Sequence, residues 1–594
     1  MKVTSKNKTN ILVVGGGIAG LATAYKLIND SRWSNVNMHV TLVERKARYG
    51  GRIKTIQLEN AKGWYEAGAS RVADTHTHVR ALATQIGCKE IRLPESYDRR
   101  SVMPALHKAF RRVHTAFVKR YGEDSLKSIS WWDVLTIVCN EKQRYQFAQD
   151  WGFLSVLKEM NAFDFWHYAM PQYLCATYYT FDGGLSSIVQ NLSRILEKSD
   201  KVTLLPSPRA TQIRVHQSNT SASPSPFKTT QLQVSLQDDN DASLYHAHHE
   251  RQRTAIYDMV FLALPSEALS TLKGIPEMYA HFWTSVSRNR LLRCYAKYPT
   301  STNIRSTHRF TKSKKRKTEI TPTKTRKKNI DISVLCKRRV KSSVLNKCTT
   351  THAPEWYQVA YCDHTKADHL YNILRMPHGL KHFKSVVRKV LGASWASFDD
   401  SHFDVHYWKA GTHSWKPQLL SDNHYQRILQ PDAKVPLFVV GASFSHYQHW
   451  MEGALETVHD AYAKCWRYAV EWLGAGASKK RFSNTHKKFT CEKTSRCFVD
   501  PFYLHNACAS DEKVYTVDDV AANQWVILDG YVYDVEPFVD RHPGGRALLQ
   551  NMLGKDISIP YHRIGHSSIA RAWAEENCKG VLKQKTFTTE TQTR

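Results

Sequence analysis

Four residues near the start of the chain have the types and spacing of a dinucleotide-binding turn. Gly15, Gly17 and Gly20 form a G-x-G-x-x-G pattern, and Glu44 follows a later apolar run. Glycine at these positions permits a tight turn, lets the backbone approach a pyrophosphate and allows a helix to pack closely on a strand. A carboxylate at the position of Glu44 can accept hydrogen bonds from a ribose diol. The pattern therefore predicts a dinucleotide site.

The residues around this pattern are those of a strand, a helix and a second strand. Residues 11–14 are a short apolar run, apolar residues recur at helical spacing from Ile18, and residues 40–43 form a second apolar run. A helix that starts directly after the glycines supplies free N–H groups and partial positive charge for phosphates. Glycine patterns also occur as ordinary turns in α/β proteins, but this order of elements favours the dinucleotide interpretation.

Two further segments resemble the flavin-containing amine oxidases, a family that includes the L-amino-acid oxidases. They are R-Y-G-G-R at residues 48–52 and Y-E-A-G-A-S-R at residues 65–71. In that family the glycine-glycine-arginine turn wraps the FAD pyrophosphate, so the resemblance implies FAD rather than NAD. The fold that it implies is an α/β, Rossmann-like FAD-binding fold of the two-domain amine-oxidase type.

Residues 436–456 resemble the C-terminal FAD motif of the same family. An apolar strand at 436–440 leads to Gly441, and a helix starts near Trp450. In the family the N-terminus of this helix faces the flavin and stabilises negative charge on the reduced ring. The sequence departs from the family pattern at Ala442, where Glu is usual, and at His449, where many members have Gly. The resemblance implies that the FAD-binding residues are Gly15, Gly17, Ile18, Ala19, Gly20, Glu44, Arg45, Gly51, Arg52, Gly68, Ala69, Ser70, Ala210, Gly441, Glu452, Gly453 and Ala454.

Three residues are predicted to act on the substrate. Arg71 matches the arginine that binds the substrate carboxylate in L-amino-acid oxidases, and a guanidinium suits such a bidentate pair. The alternative for Arg71 is a contact with the FAD phosphates or with a structural acid. Trp450 matches the aromatic residue that walls the substrate site. Arg293 aligns where the family often has a lysine that holds a water near the flavin, with Lys297 nearby. The alternative for Arg293 is a strand arginine that faces solvent.

The rest of the large domain is predicted from residue patterns and from the same resemblance. Residues 100–170 are expected to form an aromatic-rich helical substrate domain, and 177–190 a second glycine turn before a helix. Residues 406–417 resemble the tryptophan-containing loop before the last flavin-binding element. His413 in this segment is either a proton carrier or a structural histidine. Strands are predicted at residues 202–205, 210–215, 231–235, 258–264 and 291–298, and order is expected to resume at residues 356–361 after the basic segment.

A strongly basic segment interrupts the large domain. The chain carries a net charge of +31, and residues 301–353 contain 16 lysines and arginines against two acidic residues. Self-repulsion and low apolar content favour a disordered insertion. A nuclear-localisation or nucleic-acid-binding patch is the alternative, although the basic runs 312–317 and 324–328 contain no aromatic residue to act as a stacking platform.

Length and composition indicate a soluble protein of two or three domains. The 594 residues are 42% hydrophobic, and the 12 cysteines are scattered, which fits a reduced compartment. The polar, basic N-terminus does not resemble a secretory signal, and no run of about 18 apolar residues predicts a spanning helix. We therefore expect a cytoplasmic protein, with nuclear localisation as the alternative suggested by the basic run 312–328.

A second cofactor module is predicted at residues 511–585. Residues 525–535 indicate a strand, a tight turn and a strand, and H-P-G-G at 542–545 and G-H-S at 565–567 follow. This order resembles cytochrome b5 over the whole module. The axial ligands of that family's haem b carry over to His542 and His566. A haem iron with two histidine ligands has no open position, so it transfers electrons without binding oxygen.

Together these segments imply a two-cofactor oxidoreductase. FAD would take a hydride from the CH–NH2 group of an amine or L-amino acid, and the electrons would pass to the haem module, to oxygen or to another acceptor. The alternatives are a polyamine oxidase or desaturase-like flavoenzyme, or a basic nucleic-acid-associated protein with degenerate redox domains. The predicted boundaries are an FAD domain at 1–300 and 354–475, the basic insertion 301–353, a linker 476–510, the haem module 511–585 and a tail 586–594.

Overall fold

The computed structural model of the chain divides into two units, Met1–Phe482 and Ser483–Arg594. The residues that it describes are 8–34, 36–58, 63–93, 103–174, 177–216, 230–238, 252–299, 335–338, 355–391, 393–417, 424–472, 513–528, 531–541, 546–557 and 577–582. Within these ranges no helix combines the length and the apolarity needed to cross a bilayer.

The large unit alternates strands and helices along the chain. Its strands are β1 (Thr9–Val14), β2 (Met38–Glu44), β3 (Thr55–Gln57), β4 (Trp64–Glu66), β5 (Val72–Ala73), β6 (Glu90–Arg92), β7 (Tyr178–Phe181), β8 (Val202–Pro206), β9 (Pro208–His216), β10 (Gln231–Asp238), β11 (Gln252–Tyr257), β12 (Met259–Leu262), β13 (Lys273–Gly274), β14 (Val286–Tyr298), β15 (Leu335–Arg338), β16 (Glu355–Asp363), β17 (Phe403–Trp415) and β18 (Leu437–Val439). Its helices are α1 (Ile18–Asn29), α2 (Thr77–Gln85), α3 (Met103–Tyr121), α4 (Trp131–Val138), α5 (Glu141–Trp151), α6 (Leu154–Glu159), α7 (Ala162–Asp164), α8 (Met170–Leu174), α9 (Ser186–Glu197), α10 (Ser266–Leu269), α11 (Ile275–Met278), α12 (Ala280–Trp283), α13 (His364–Leu374), α14 (Gly379–Leu391), α15 (His424–Leu429) and α16 (Met451–Trp472).

A five-stranded parallel sheet forms the centre of the large unit. Its strand order is β18-β12-β1-β2-β8, and every pair in it is parallel. The last four residues of β1 are apolar and buried, as expected for a strand covered on both faces. Helix α1 packs against α16 and α9. The predicted strand, glycine turn, helix and second strand at residues 11–44 are confirmed.

The large unit also contains two four-stranded sheets, and one of them includes residues that were predicted to form a loop. The first has the order β11-β10-β9-β13, and the second has the order β15-β16-β14-β17. Residues 406–415, expected in a loop, belong to β17, which pairs antiparallel with β14 from Trp415 to Phe403. The aromatic run from His406 to Trp408 suits a strand, and the pairing with β14 connects segments more than 100 residues apart.

The predicted helical domain at residues 100–170 is confirmed and is built around aromatic side chains. Helices α3 to α8 surround Phe110, Trp131, Trp151 and Phe165, each of which is fully buried. The rings of Trp131 and Phe165 stack with centroids 4.9 Å apart. Burial of several large aromatic rings in one cluster gives this domain its own core.

The basic insertion contributes one element to the described part of the chain. Leu335–Arg338 form strand β15, which pairs antiparallel with β16 at Ala360 and Gln358. The expectation that residues 301–353 lack structure throughout is therefore wrong for these four residues. The basic runs 312–317 and 324–328 lie outside the described residues, so the predictions about them stay predictions.

The small unit is an α+β module. Its described elements are β19 (Val514–Tyr515), α17 (Val517–Ala522), β20 (Val526–Leu528), β21 (Tyr531–Tyr533), α18 (Arg546–Gln550) and β22 (Cys578–Leu582). The sheet order is β19-β22-β21-β20. Val520, Ile527 and Val532 are buried together beneath it. The predicted strand, turn and strand at residues 525–535 correspond to β20 and β21.

Candidate active site

The turn between β1 and α1 presents backbone N–H groups to open space. Gly15 adopts a φ of +110°, and a Cβ on it would lie 2.4 Å from the carbonyl oxygen of Ala263. Helix α1 begins at Ile18 without a side-chain cap on its free N–H groups. Apart from Gly17 itself and its two chain neighbours, no described residue has an atom within 4 Å of the position that a Cβ on Gly17 would occupy. Uncapped N–H groups beside open space are the arrangement that a pyrophosphate requires.

Gly20 has a packing role in the same turn. A Cβ on Gly20 would lie 1.9 Å from the carbonyl oxygen of Gly15. Only glycine therefore allows α1 to approach the turn this closely. Gly20 does not line the cavity described below, so its contribution to cofactor binding is to place the N-terminus of α1.

The Glu44 carboxylate braces the glycine turn from the end of β2. Its Oε2 accepts a hydrogen bond from the Gly16 N–H at 2.7 Å, and its Oε1 accepts one from the Lys46 N–H at 2.9 Å. The side chain is half-buried and lines the cavity. Each carboxylate oxygen has a second lone pair, so Glu44 retains the capacity to accept from ribose hydroxyls.

A cavity of about 820 Å³ extends from the glycine turn to Trp450. A second cavity of about 590 Å³, lined by Ala210, shares Gly15, Glu44, Arg45 and Leu264 with the first. The two cavities meet at Gly15 and the end of β2, and the uncapped N-terminus of α1 lines the larger one. This arrangement fits a dinucleotide such as FAD. The predicted residues that line the larger cavity are Gly15, Gly17, Ile18, Ala19, Glu44, Arg45, Gly51, Arg52, Gly68, Ala69, Ser70, Arg71, Arg293, Gly441, Trp450 and Ala454.

Arg52 contacts His413, which in turn contacts Glu267, and the sequence motifs assign neither residue to FAD binding. Its Nη1 lies 3.3 Å from His413 Nδ1, and His413 Nε2 lies 2.9 Å from Glu267 Oε2. Because a guanidinium only donates, Nδ1 accepts and the imidazole proton faces Glu267. Burial opposes the ionised form of Glu267, yet the His413 hydrogen bond lowers the pKa of this carboxyl. The His413 side chain is buried and does not line the cavity, so its contacts favour the structural alternative, in which it positions Arg52.

Glu452 lies against helix α2 and does not line the cavity. Its Oε1 accepts hydrogen bonds from the His78 N–H at 3.0 Å and from His78 Nδ1 at 2.8 Å, and its Oε2 accepts from the Val79 N–H at 3.0 Å. Burial opposes ionisation, but the contacts with His78 lower the pKa of Glu452 to about 2. Glu452 therefore connects the first turn of α16 to the start of α2. The predicted contact between Glu452 and FAD is not supported, because this side chain does not line the cavity.

Gly453, also predicted to contact FAD, has a packing role. A Cβ on Gly453 would lie 2.0 Å from Ser445 Oγ and 2.5 Å from the carbonyl oxygen of Tyr447. The residue lets the first turn of α16 pack on the segment before it. Ala454, one position further on, does line the cavity.

Arg71 and Trp450 line the same cavity and are linked by an aromatic ring. The Arg71 guanidinium lies 4.0 Å from the ring centroid of Tyr178 and 5.8 Å from that of Trp450. The Tyr178 and Trp450 rings are nearly parallel, with centroids 6.3 Å apart. Among the described residues no carboxylate forms an ion pair with Arg71. Its N–H donors are therefore available to a bound anion.

Arg293 is buried on β14, so the alternative of a solvent-facing strand arginine is wrong. Its Nη1 donates to the carbonyl oxygen of Glu66 at 2.9 Å, and its guanidinium lies 4.6 Å from the ring centroid of Tyr361. Burial opposes the charge, but Tyr361 and Tyr295 raise the pKa of Arg293. Arg293 is thus a permanently charged residue of the cavity wall, and part of its guanidinium is already in contact with Glu66 and Tyr361. Lys297 does not line this cavity.

Sequence reasoning missed most of the aromatic wall. The Trp408 Nε1 donates to the carbonyl oxygen of Ala67 at 2.8 Å. The aromatic residues of this wall lie in the segment before α6 and in β16, α13 and β17. Because these segments are far apart in the sequence, no short motif contains them. The one available signal was the aromatic run at 406–408, which the loop prediction obscured. The wall residues are Phe153, Tyr361, Tyr371, Tyr407 and Trp408.

The haem ligands predicted for the small unit, His542 and His566, lie outside the described residues. A 3-10 helix, Glu536–Arg541, ends directly before His542. Val535 and Val539 are buried in the core that also contains Leu549. The described core thus flanks the H-P-G-G segment on both sides in the sequence.

Two segments of the chain match different protein families. Residues 18–136 match the flavin containing amine oxidoreductase family. Residues 512–583 match the cytochrome b5-like heme/steroid binding domain. These matches confirm both predicted resemblances, and with them the predicted cofactors FAD and haem.

Curated relatives cover the C-terminal module. Cytochrome b5 of Cuscuta reflexa is 39% identical over 84 residues, which are 13% of this chain and 62% of that protein. Cytochrome b5 of Nicotiana tabacum is 37% identical over 87 residues, 14% of this chain and 64% of that protein. The chain thus spans about six-tenths of the length of these relatives.

Solved structures match about four-fifths of the chain. Cyclohexylamine oxidase from Brevibacterium oxydans superposes with a TM-score of 0.52 at 15% identity, covering 78% of this chain and 99% of that one. A mutant of putrescine oxidase with redesigned cofactor binding superposes with a TM-score of 0.51 at 13% identity, covering 78% and 100%. The likeness shows the fold, which is the predicted α/β FAD-binding fold of the amine-oxidase type.

Two glycine substitutions separate cofactor contact from packing in the turn. Gly17→Ala places a methyl group where no described atom lies, so we expect unchanged apoprotein stability and FAD binding that is weaker by about tenfold or more. Gly20→Ala drives a methyl into a carbonyl oxygen, so we expect the apoprotein to lose about 1–3 kcal/mol of unfolding free energy. Urea denaturation of apoprotein and FAD titration by flavin fluorescence measure the two quantities. Equal loss of stability in both variants would contradict the division of roles.

The depressed pKa of Glu452 predicts a specific sensitivity to acid. Because the folded-state pKa of about 2 lies below the ordinary 4.5, the ionised carboxylate stabilises the fold above pH 4.5, and this contribution is lost as pH falls toward 2. The full contribution is about 3 kcal/mol. We therefore expect the stability difference between wild type and Glu452→Gln to shrink as pH falls from about 6 to 3 in urea denaturation. Parallel pH profiles of the two proteins would rule out this linkage.

Proposed function

We propose that the chain oxidises the CH–NH2 group of an L-amino acid and passes the electrons to its haem module. The observation that supports an amino-acid substrate is the Arg71 guanidinium, which lines the FAD cavity beside Trp450 without a carboxylate partner among the described residues. The rings of Tyr178 and Trp450 lie beside this guanidinium, and a guanidinium in such a setting suits a carboxylate on the substrate.

The rings around Arg71 prepare it for this role. Its stacking on Tyr178 restricts the guanidinium to few orientations, which lowers the entropy lost when it pairs with a carboxylate. A carboxylate bound there fixes one end of the substrate, and Trp450 and Trp408 limit the access of water to the rest. Bound FAD would accept the hydride that leaves the α-carbon of the substrate. The imine that results is hydrolysed to the oxo acid and ammonia.

The charge of the wall disfavours the polyamine alternative. Arg71 and Arg293 both line the cavity, and the contacts of Arg293 keep it charged. The cavity lining contains six cationic side chains, Arg45, Lys46, Arg52, Arg71, Arg293 and Lys409, and three acidic ones, Glu44, Glu66 and Glu267. This excess of cationic groups repels a substrate with several ammonium groups and attracts one with a carboxylate. An amino acid supplies the anion that these groups favour.

The haem module supports the proposal that electrons leave the flavin one at a time through haem. A haem iron held by His542 and His566 has no open coordination position and is suited to electron transfer. Joining such a module to a flavin domain in one chain keeps the electron acceptor at a high effective concentration. On this basis the protein is a dehydrogenase, with oxygen as a slower acceptor.

Substitution of Arg71 distinguishes an amino-acid substrate from a simple amine. We expect Arg71→Ala to lower kcat/KM for an L-amino acid by about 100-fold or more, since a charged hydrogen-bonded pair at a site shielded from water contributes about 3 kcal/mol or more. The amine of the same side chain without the carboxylate serves as the matched control and should lose little. Arg71→Lys should recover part of the loss. Equal losses on both substrates would mean that Arg71 binds FAD or supports the fold.

Removal of the haem ligands tests the electron exit. In a His542→Ala, His566→Ala variant we expect flavin reduction by substrate at the wild-type rate and reduction of an added one-electron acceptor such as cytochrome c slowed by about tenfold or more. Stopped-flow absorbance measures the first rate, and steady-state assay the second. Acceptor reduction at the wild-type rate would show that electrons leave the flavin without the haem.

A further inference from the structure

Gln172 on helix α8 binds two other segments of the chain through separate atoms. Its side chain is buried, and its Oε1 accepts hydrogen bonds from Thr75 Oγ1 at 3.1 Å and from His76 Nε2 at 2.9 Å. Its backbone carbonyl oxygen accepts a hydrogen bond from the Tyr178 hydroxyl at 3.0 Å. One residue of the helical domain therefore holds both the segment before α2 and strand β7.

The backbone determines which nitrogen of the His76 ring carries the proton. The Ala73 N–H donates to His76 Nδ1 at 3.1 Å, and a backbone N–H only donates. The proton of the neutral ring therefore resides on Nε2, which donates to the side-chain oxygen of Gln172. Burial lowers the pKa of His76, which favours the neutral ring that these two hydrogen bonds require.

The His76 side chain has no role in capping α2, although it stands at the N-cap position of that helix. The free N–H groups of His78 and Val79 in the first turn donate instead to the Glu452 carboxylate. Histidine is not among the residues that cap helices well. The presence of this fully buried ring is thus explained by its other contacts, with Gln172 and with Trp450.

The two residues that Gln172 binds are in contact with the two residues expected to meet the substrate. The His76 ring meets the Trp450 ring nearly edge-on, with centroids 4.8 Å apart and planes inclined by 68°. The Tyr178 ring lies nearly parallel to Trp450 and carries the Arg71 guanidinium 4.0 Å from its centroid. Gln172 does not line the cavity, so any effect on substrate passes through these rings.

We propose that Gln172 is a positioning residue that orients Trp450 through His76 and Arg71 through Tyr178. The part that concerns Arg71 rests on the proposed function, whereas the part that concerns Trp450 requires only a substrate bound beside this ring. Hydrogen bonds are directional, so a ring that makes one has fewer orientations than a ring held by apolar packing alone. A small displacement of a residue that positions substrate lowers the rate strongly, because the reacting atoms must be held at close range.

Gln172→Met tests the side-chain contact in the full chain with FAD bound. Methionine fills a similar volume but its sulfur accepts only weakly, so the His76 Nε2–H loses its partner while Tyr178 keeps the backbone carbonyl. We expect the rate of flavin reduction, followed by stopped-flow absorbance, to fall about tenfold for an L-amino acid and for the amine that lacks its carboxylate. The FAD dissociation constant should stay within about twofold of the wild-type value.

Two further substitutions serve as the rescue and the matched control for Gln172→Met. Gln172→Glu retains an acceptor for Thr75 and His76 and should restore flavin reduction to within about threefold of the wild-type rate. Gln146→Met makes the same chemical change on α5, where the side chain is exposed and bonds to Asp150, and should leave the rate unchanged.

Tyr178→Phe tests the backbone contact and is expected to act on a different kinetic constant. Without its hydroxyl the ring under Arg71 is held less firmly, so we expect KM for the L-amino acid to rise about fivefold. KM for the matched amine should not change, because the amine has no carboxylate for Arg71 to bind. Equal changes in KM for the two substrates would contradict the link between Gln172 and Arg71.

The remaining outcomes separate this proposal from the proposed function. An unchanged rate in Gln172→Met, or a rate that falls only in parallel with FAD affinity, would overturn the positioning role. A wild-type flavin that amines reduce and amino acids do not would contradict the proposed function, and the amine rates would then decide the link to Trp450. If Gln172→Met does not fold, Tyr178→Phe decides, and unchanged KM values for both substrates overturn the proposal.

Discussion

The contact between Gly20 and the carbonyl oxygen of Gly15 is the constraint on which the site depends. It sets the distance between α1 and the turn after β1, and so directs the free N–H groups of α1 toward open space beside Gly17. The parallel order of the sheet places the ends of β1, β2, β12 and β18 at the same edge. Glu44 and Gly441 therefore reach this edge although they are far apart in the sequence.

Hydrogen bonds that involve histidines connect β17 and α2 to the segments at that edge. His413 ties β17 to Arg52, His78 ties α2 to Glu452 at the start of α16, and Ser414 ties β17 to His449. Each of these hydrogen bonds lies in a buried or half-buried setting, where a polar group without a hydrogen-bond partner would lower the stability of the fold. The cavity wall is thus held by a few specific hydrogen bonds in addition to apolar packing.

The parts of the site that the sequence predicted correctly are those encoded over short distances. The glycine turn, α1 and Glu44 occupy about 30 consecutive residues, so periodicity and motif spacing were sufficient. The role of Glu452 and the strand at 403–415 depend on pairing with α2 and β14, and nothing in the local sequence specifies those partners. The aromatic wall and the Ser414 contact with His449 were hidden for the same reason. His542 and His566 stay predictions from motif spacing, because they lie outside the described residues.

The most direct test of the two-cofactor account is an anaerobic titration of the purified chain, followed by visible absorption. On addition of an L-amino acid, we expect loss of the oxidised flavin bands and then the shift of the Soret band that marks haem reduction. Bleaching by amines but not by amino acids would contradict the role proposed for Arg71. Flavin bleaching with a haem spectrum that stays oxidised would contradict the electron relay.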